Sequence, residues 1–320
     1  MEIKKYVEEL LKERQIESVY FVGCGASKAD LYPGYYFMRK NSKLKVGHFT
    51  ANEFNYDTPV DVNEKSVIIS ASLSGTTPES VEAVNKANSL GAYVFALTNE
   101  SGSPLTKNAD KEVVHGFHES YAAKIEKMTY CLELAVEIVN QTEGYEFYSE
   151  IKEGFDKLPE IANESAKLAA ASAEEFGKKY ADDDLLYVVG SGASYEVGYS
   201  TSLCLLLEMQ WINSANFHSG DFFHGALEIT DKDVPFLLYM NDGSTRKMDS
   251  RVLTFLQRFD AKVTVIDGKD YGLSNVFDSH VVDYFNPMVL TTVTRVHFER
   301  LAHYRQHPLT KRRYMWKLEY

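Results

Sequence analysis

Short apolar and β-branched runs alternate along the chain with longer segments of helical periodicity. The runs have the length of buried strands, and the segments between them are long enough for helices. This alternation is typical of a parallel sheet that is covered by helices on both faces. It predicts strands at 18–22, 44–50, 66–71, 92–98 and 112–117, with helices at 6–14, 28–40 and 78–89.

The region 122–179 interrupts the alternation, because it is polar and rich in alanine. Its composition favours helices, and the sequence at 142–144, Thr-Glu-Gly, predicts a break between two of them. The alternating pattern then restarts. We therefore expect a first subdomain at 1–145, connecting helices at 146–180 and a second subdomain at 181–320.

The two halves of the chain repeat one pattern. Three strand-like segments recur in the same order, at offsets of 167, 168 and 169 residues. A repeat that keeps its order predicts two subdomains of the same α/β architecture. The matching pairs are 21–27 with 188–194, 67–77 with 235–245, and 92–97 with 261–266.

Composition narrows the classes of function. The 320 residues include 34 Lys and Arg against 46 Asp and Glu, and the net charge of −12 opposes a nucleic-acid partner. No apolar run approaches the roughly 20 residues that span a bilayer, and the N-terminus lacks the apolar core of a secretory signal. Three cysteines without a CxxC motif fit a reducing compartment. We therefore expect a cytoplasmic protein that does not enter a membrane.

Two polar turns follow predicted strands of the first half. In the turn at 70–79, Thr77 suits the N-cap of the next helix and Pro78 its first position. The amides and the dipole at such a helix start attract anions without help from lysine. The other turn, Gly23-Cys-Gly-Ala-Ser27, ends the previous strand. Although an isolated turn of this kind is usually only a capped turn, its place in a repeated α/β unit favours an anion site.

Neither glycine-rich turn matches a nucleotide fingerprint. A dinucleotide-binding G-x-G-x-x-G motif needs glycine at positions that are Lys28 and Tyr195 here. The lysine that follows the second glycine of a Walker A loop is also absent. We therefore expect neither NAD nor a nucleoside triphosphate as ligand.

Glu208 is the candidate general base. On an α-helix its neighbours three and four positions away are apolar, namely Cys204, Leu205, Trp211 and Ile212. Desolvation among these residues would raise the pKa of Glu208 towards neutrality and suit it to removing a proton from carbon. A glutamate at the rim of the apolar stripe, whose stem reaches solvent, fits the same spacing equally well.

A second polar cluster contains His218, Asp221 and His224. The three-residue spacing is compatible with a metal face on a helix, but Gly220 and Gly225 favour a turn and no fourth ligand is nearby. His224, beside a glycine and after a strand, is interpreted as a general acid that faces a cleft. His218 fits a structural role as well.

The C-terminal segment is basic. Residues 286–320 contain seven Lys and Arg against two Glu, and aromatic residues are interleaved near the end. A tail of this composition is expected to dock on the protein, where it would cover an anion or a partner subunit.

These motifs resemble a known family. The paired turns, the Ser-x-Ser-Gly-x-Thr loop at 72–77 and the pair Glu208 and His224 resemble the double sugar-isomerase (SIS) domain of glucosamine-6-phosphate synthase. The run at 208–214 and the end at 307–320 are similar to those of bacterial fructosamine-6-phosphate deglycases. The resemblance covers nearly the whole chain. It implies two doubly wound parallel-sheet subdomains in tandem, each a three-layer α/β/α arrangement.

The resemblance also implies roles for individual residues. Glu208 would be the general base, and His224, donated across a homodimer interface, the acid that opens the sugar ring. No metal or organic cofactor is implied. The residues implied to hold the sugar phosphate are Ser27, Ser72, Ser74 and Thr77, and further pocket candidates are Gly25, Ser191, Asp221 and Lys317.

The chain departs from the family at three positions. Asp221 stands where the family has glutamate, and Ala226 where it has proline, so the loop around His224 is expected to differ in shape. Leu205 replaces a lysine that precedes the base of the synthase, which argues against the synthase chemistry. Both proposed catalytic groups are present.

The implied reaction is hydrolysis of a fructosamine 6-phosphate, an Amadori product, to glucose 6-phosphate and a free amine. A phosphosugar aldose–ketose isomerase needs the same proton transfer between C1 and C2 and is the alternative enzyme. A non-catalytic sugar-phosphate-binding regulator is the third hypothesis. If the amine is an amino acid, Lys317 or Arg313 in the tail is expected to meet its carboxylate.

Overall fold

A computed structural model of the chain describes residues 3–319. The chain divides into two compact units, Met1–Phe155 and Asp156–Tyr320. Each unit contains one all-parallel sheet with helices packed against it, so the predicted α/β class and the two parallel sheets are confirmed. The subdomain limits proposed at 145 and 180 stay predictions.

The first unit has a five-stranded parallel sheet. Its strands are β1 (Ser18–Gly23), β2 (Lys45–Thr50), β3 (Ser66–Ala71), β4 (Tyr93–Thr98) and β5 (Lys111–Val114). Their order is β2-β1-β3-β4-β5, so the chain winds outwards from β1 in both directions. Four strands agree with the sequence prediction to within one residue, whereas β5 ends three residues earlier than predicted.

Helices of the first unit lie before, between and after these strands. Every position of β1, β3 and β4 is buried, because helices cover both faces of the sheet. The helices are α1 (Ile3–Glu13), α2 (Gly25–Asn41), α3 (Ala51–Tyr56), α4 (Pro78–Ser89), α5 (Tyr121–Lys124) and α6 (Glu126–Thr142), with a 3₁₀ turn at Pro104–Thr106. Helix α7 (Tyr148–Leu168) begins in the first unit and continues into the second.

The second unit repeats this topology with four strands. They are β6 (Tyr187–Gly190), β7 (Asn216–His218), β8 (Pro235–Met240) and β9 (Lys262–Asp267). Their order, β7-β6-β8-β9, is that of the first four strands of the first unit. The internal repeat that the sequence predicted is therefore confirmed.

The helices of the second unit include one π-helix, Thr201–Gln210, which follows directly on a short α-helix. The longest helix, α12, is buried along most of its length. The α-helices are α8 (Ala170–Lys179), α9 (Tyr195–Ser200), α10 (Arg246–Arg258), α11 (Leu273–Val276) and α12 (Val282–Tyr304), and the 3₁₀ helices are Gly192–Ser194, Phe222–His224, Ala226–Ile229 and Gly268–Tyr271.

The helical region in the middle of the chain is more divided than predicted. The break expected at 142–144 is present between α6 and α7. A second break at Ala169 separates α7 from α8, and α5 is a separate short helix, so the expectation of two helices was wrong. Within residues 3–319, no helix combines the length and the apolar character of a membrane span.

Helices α2 and α6 approach each other closely at Gly34. A Cβ atom added there would come within 2.8 Å of the Sγ of Cys131 and of the Phe21 ring, which are both buried. Glycine is therefore needed because the packed helix and strand leave no room for a side chain.

We expect Gly34→Ala to destabilise the protein by about 1–3 kcal/mol, because the new methyl group overpacks this contact. Urea unfolding of the purified protein measures the effect, and Gly225→Ala is the control because a Cβ there meets nothing within 4 Å. An unfolding midpoint for Gly34→Ala equal to that of the control would contradict the account of the packing.

Candidate active site

Two polar turns meet at the carboxyl edge of the first sheet. Strands β1 and β3 pair in parallel with Gly23 opposite Ala71, so the turns that follow them start side by side. The Ser80 hydroxyl donates to the Cys24 Sγ at 3.6 Å and links the second turn to the first. The chain reverses its winding direction between β1 and β3, which is where ligands bind in open parallel sheets.

The turn after β3 is rich in hydroxyl groups, of which those of Ser74 and Thr76 belong to exposed residues and that of Ser72 to a buried one. The Ser72 and Thr77 hydroxyls hydrogen-bond at 2.9 Å, and those of Ser74 and Thr76 at 2.6 Å. Gly75 has a φ of 64°, and a Cβ there would lie 1.9 Å from the Ser103 Oγ. Only glycine fits at this position, and it brings the hydroxyls of the turn together.

The N-terminus of α4 is open to an acceptor. Thr77 is the N-cap residue and Pro78 begins the helix, as predicted, but the Thr77 side chain makes no capping hydrogen bond. Its hydroxyl pairs with Ser72 instead. The first-turn amides of α4 therefore lack a side-chain cap, and an anion bound here would accept their hydrogen bonds.

A buried lysine of α6 contacts the segment after β1, which the sequence did not indicate. Gly25, with a φ of 50°, begins α2, and Ser27 lies in its first turn. The Lys127 Nζ donates to the Ser27 Oγ at 3.0 Å and pairs with Asp30 at 2.9 Å, although the Lys127 side chain is only 4% exposed. One of the predicted phosphate-binding serines is therefore held by a lysine.

The corresponding edge of the second sheet is occupied by a carboxylate of the protein itself. Asp249, fully buried on α10, accepts hydrogen bonds from the Ser191 hydroxyl at 2.6 Å, the Ser219 hydroxyl at 2.7 Å and the Asn241 amide at 3.2 Å. Burial raises the pKa of Asp249, and these donors oppose the rise. The hydroxyl of Ser191, a predicted pocket residue, is thus engaged inside the protein.

The repeat explains the difference between the two sheet edges. At the offset of 168 residues, Met240 and Asp242 of the second unit correspond to Ser72 and Ser74 of the first. The Asp242 carboxylate accepts hydrogen bonds from the backbone and side chain of Ser274. Hydroxyls that suit an anion in the first unit are thus replaced by an apolar side chain and a carboxylate in the second.

Glu208 lies in the π-helix rather than in an α-helix. The helix ends at Trp211, which has a left-handed backbone with a φ of 57°. The predicted neighbours three and four positions along an α-helix therefore do not apply, since Trp211 and Ile212 lie beyond the helix. π-Helical turns are frequent at functional sites.

The carboxylate of Glu208 is paired with an arginine from the C-terminal tail. The Arg312 Nη2 lies 2.7 Å from the Glu208 Oε1, and the two side chains are 8% and 20% exposed. Burial raises the pKa of Glu208, and the Arg312 charge and hydrogen bond oppose that rise. Glu208 is therefore a partly desolvated carboxylate held by a buried cation, a partner that no sequence pattern indicated.

The tail docks on the end of the π-helix, as its composition predicted. The Gln210 side chain donates to the His307 carbonyl oxygen at 2.8 Å, and the His307 ring packs edge-on against Trp211 at 4.5 Å. The Arg313 guanidinium lies 4.4 Å from the Trp211 ring centre. The Lys317 Nζ donates to the Arg312 carbonyl oxygen at 2.6 Å, so its ammonium stabilises the tail.

His224 is exposed at the end of a short 3₁₀ helix that follows β7. Phe222 is buried and anchors this helix, while Asp221 is exposed. His218 accepts a hydrogen bond from the Gly220 amide at 3.0 Å and packs against a tyrosine ring, which favours its structural role. Within residues 3–319, no three His, Cys, Asp or Glu side chains form a group that could hold a metal ion.

The chain matches a known family model and curated relatives. The SIS domain model matches residues 12–136, which include both polar turns of the first unit. Fructosamine deglycase FrlB of Bacillus subtilis is 36% identical to the chain over all 320 residues and 97% of its own length. Fructoselysine 6-phosphate deglycase of Escherichia coli is 26% identical over 82% of the chain and 76% of its own length.

Solved structures show the same fold. A Salmonella typhimurium protein described as a phosphosugar isomerase superimposes with a TM-score of 0.96 at 37% identity, covering 99% of this chain and 96% of its own. The C-terminal domain of glucosamine-fructose-6-phosphate aminotransferase from Francisella tularensis gives a TM-score of 0.81 at 19% identity, over 95% and 88% of the two chains. The second likeness concerns the fold alone.

We expect one hexose 6-phosphate to bind per chain, at the hydroxyl turn of the first unit. Ser72→Ala should weaken binding about 10-fold, because the bound anion loses a hydrogen bond and the Thr77 hydroxyl loses its partner. Thr245→Val, at the position that corresponds to Thr77 in the second unit, should leave the affinity unchanged. Isothermal titration calorimetry measures affinity and stoichiometry, and two equivalent sites per chain would contradict the assignment.

Proposed function

Because the chain belongs to the fructosamine deglycase family of SIS-domain proteins, we propose that it hydrolyses a fructosamine 6-phosphate to glucose 6-phosphate and a free amine. The observation that carries this proposal is the partly desolvated Glu208 in the π-helix. A carbon acid needs such a base, since a fully hydrated carboxylate is a weaker one. The likeness to the Bacillus subtilis deglycase over its full length supports the choice of substrate class.

The phosphate of the substrate binds at the hydroxyl turn of the first unit. The Ser72, Ser74 and Thr77 hydroxyls and the uncapped amides of α4 supply the hydrogen bonds. Ser27, held by Lys127, supplies a further hydroxyl next to a positive charge. These local donors outweigh the net charge of −12, because distant surface charges are screened by salt.

The reaction proceeds by proton transfer along the sugar chain. His224 protonates the ring oxygen and opens the ring, and Glu208 then takes a proton from C1 to give an enaminol. Protonation of C2 converts the enaminol into an imine between C1 and the amine nitrogen. Water adds to this imine and the amine leaves, so that C1 becomes the aldehyde carbon of glucose 6-phosphate. None of these steps requires a metal ion or an organic cofactor.

A phosphosugar isomerase is the second candidate. The Salmonella typhimurium structure of the same fold, 37% identical to this chain, is described as one. Isomerisation uses the same removal of a proton next to the carbonyl carbon, so Glu208 would have the same role. The two activities differ in whether a carbon–nitrogen bond is broken.

We expect the protein to release glucose 6-phosphate and lysine in equal amounts from fructoselysine 6-phosphate and not to interconvert fructose 6-phosphate and glucose 6-phosphate at a comparable rate. Glu208→Gln should lower kcat about 100- to 10,000-fold, because the amide cannot accept the proton. Enzymatic assays of glucose 6-phosphate and chromatography of the free amine provide the measurement.

Glu164→Gln is the control, since this exposed glutamate of α7 pairs with a neighbouring lysine on its own helix. Faster turnover of fructose 6-phosphate than of the conjugate would favour the isomerase. Unchanged turnover of every substrate by Glu208→Gln would remove Glu208 from the mechanism.

We further propose that the enzyme is a cytoplasmic homodimer in which each active site combines Glu208 of one chain with His224 of the other. The exposed position of His224 on a short anchored helix supports this arrangement, because a buried histidine could not reach another subunit. Most soluble homo-oligomers are symmetric dimers, in which two identical sites form together.

Mixed dimers test this arrangement. If each site draws on two chains, co-refolding inactive Glu208→Gln and His224→Asn proteins in equal amounts should restore about a quarter of the wild-type activity, because half of the dimers are mixed and each has one intact site. If both residues of a site come from one chain, no activity returns. Sedimentation equilibrium verifies that the dimers form.

A further inference from the structure

The guanidinium of Arg312 has a hydrogen-bonding edge that is only half used. Its Nη1 donates to the carbonyl oxygens of Leu309 and Lys311 at 2.8 and 2.9 Å, which fixes the group within the tail. Its Nη2 faces the Glu208 carboxylate at 2.7 Å. Its Nε is buried and has no hydrogen-bond partner among residues 3–319.

An unpaired donor in a side chain that is only 8% exposed is costly, since it has given up water without gaining an acceptor. The Nε and Nη2 hydrogens of an arginine point in parallel, and a carboxylate that accepts both satisfies them in the bidentate arrangement. The buried edge of Arg312 therefore has the geometry of a carboxylate site, and Glu208 leaves one of its two donors unpaired.

The ion pair with Arg312 also lowers the basicity of Glu208. A carboxylate that is bound to a guanidinium is a weaker proton acceptor than a free one in the same surroundings, because proton uptake breaks the ion pair. Glu208 therefore removes a proton from C1 more easily when Arg312 forms an ion pair with another anion. A substrate anion that binds the guanidinium of Arg312 would leave the carboxylate of Glu208 without its partner, in a site that is still half-buried.

Amino-acid conjugates carry a carboxylate close to C1, where it can reach Arg312. A base that takes a proton from C1 must approach that carbon to about 3–3.5 Å, and Arg312 lies 2.7 Å from the base. When the α-amine is joined to C1, only the nitrogen and the α-carbon separate the carboxylate from C1. The carboxylate of the substrate thus arrives close to the guanidinium, whatever the amino-acid side chain.

We propose that the carboxylate of an amino-acid conjugate linked through its α-amine replaces Glu208 as the partner of Arg312, so that Arg312 favours such substrates and frees the base when one is bound. This inference rests on the proposed deglycase function. It makes Arg312 a specificity-determining residue, in place of Arg313 or Lys317, whose cationic groups contact the Trp211 ring and a tail carbonyl oxygen.

The test compares two conjugates of fructosamine 6-phosphate that differ in charge but hardly in size, those of glycine and glycinamide. For the wild-type protein we expect kcat/KM to be about 10- to 100-fold higher for the glycine conjugate, which is the effect of one charge-assisted bidentate contact. For Arg312→Met the ratio should fall to about one.

The neighbouring arginine provides the matched control. Arg313→Met removes an equal charge from the same tail and should keep the preference for glycine. If Arg312→Met does not fold, Arg312→Lys replaces it, since lysine keeps the charge but lacks the parallel donors and should lose most of the preference. Circular dichroism verifies the fold of each variant.

The outcomes separate this inference from the function on which it rests. If the wild-type protein hydrolyses both conjugates equally well, or if Arg313→Met loses the preference while Arg312→Met keeps it, the inference is overturned and the deglycase function stands. If the wild-type protein hydrolyses neither these conjugates nor fructoselysine 6-phosphate, the proposed function itself is contradicted.

Discussion

The ion pair between Glu208 and Arg312 is the interaction on which the chemistry of the second unit depends. It joins a π-helix to the C-terminal tail, beside the contact of the Arg313 guanidinium with the Trp211 ring. Aromatic packing of His307 on Trp211 and the left-handed turn at Trp211 support the same contact. The tail is therefore part of the candidate active site, and it tunes the basicity of the one carboxylate that the proposed reaction requires.

The two sheets share the order of four strands, but the polar groups at their carboxyl edges differ. In the first unit, hydroxyls and uncapped helix amides surround a position that suits an anion. In the second, the buried Asp249 takes up the donors of Ser191, Ser219 and Asn241. The same α/β topology thus carries an open hydroxyl turn in one unit and an internally paired carboxylate in the other.

Features set by local sequence were predictable, whereas those set by tertiary contact were not. Hydrophobic periodicity and turn residues located the strands, α4 and the hydroxyl turn, because each depends on residues that are close in the sequence. Lys127 lies 100 residues from Ser27, and Arg312 is separated from Glu208 by most of the second unit. The π-helix was missed because its apolar residues also fit an α-helix, and only the backbone shows the extra residue in each turn.

The most direct test of this account is the titration of the Glu208 carboxyl group in the ligand-free protein. Difference infrared spectroscopy follows its C=O stretch, and Glu208→Gln identifies the band. The account predicts that the pKa of Glu208 rises in Arg312→Met, because burial then acts without the opposing cation, so the carboxyl group stays protonated to higher pH. An identical titration in wild type and Arg312→Met would contradict the claim that the tail arginine holds this base.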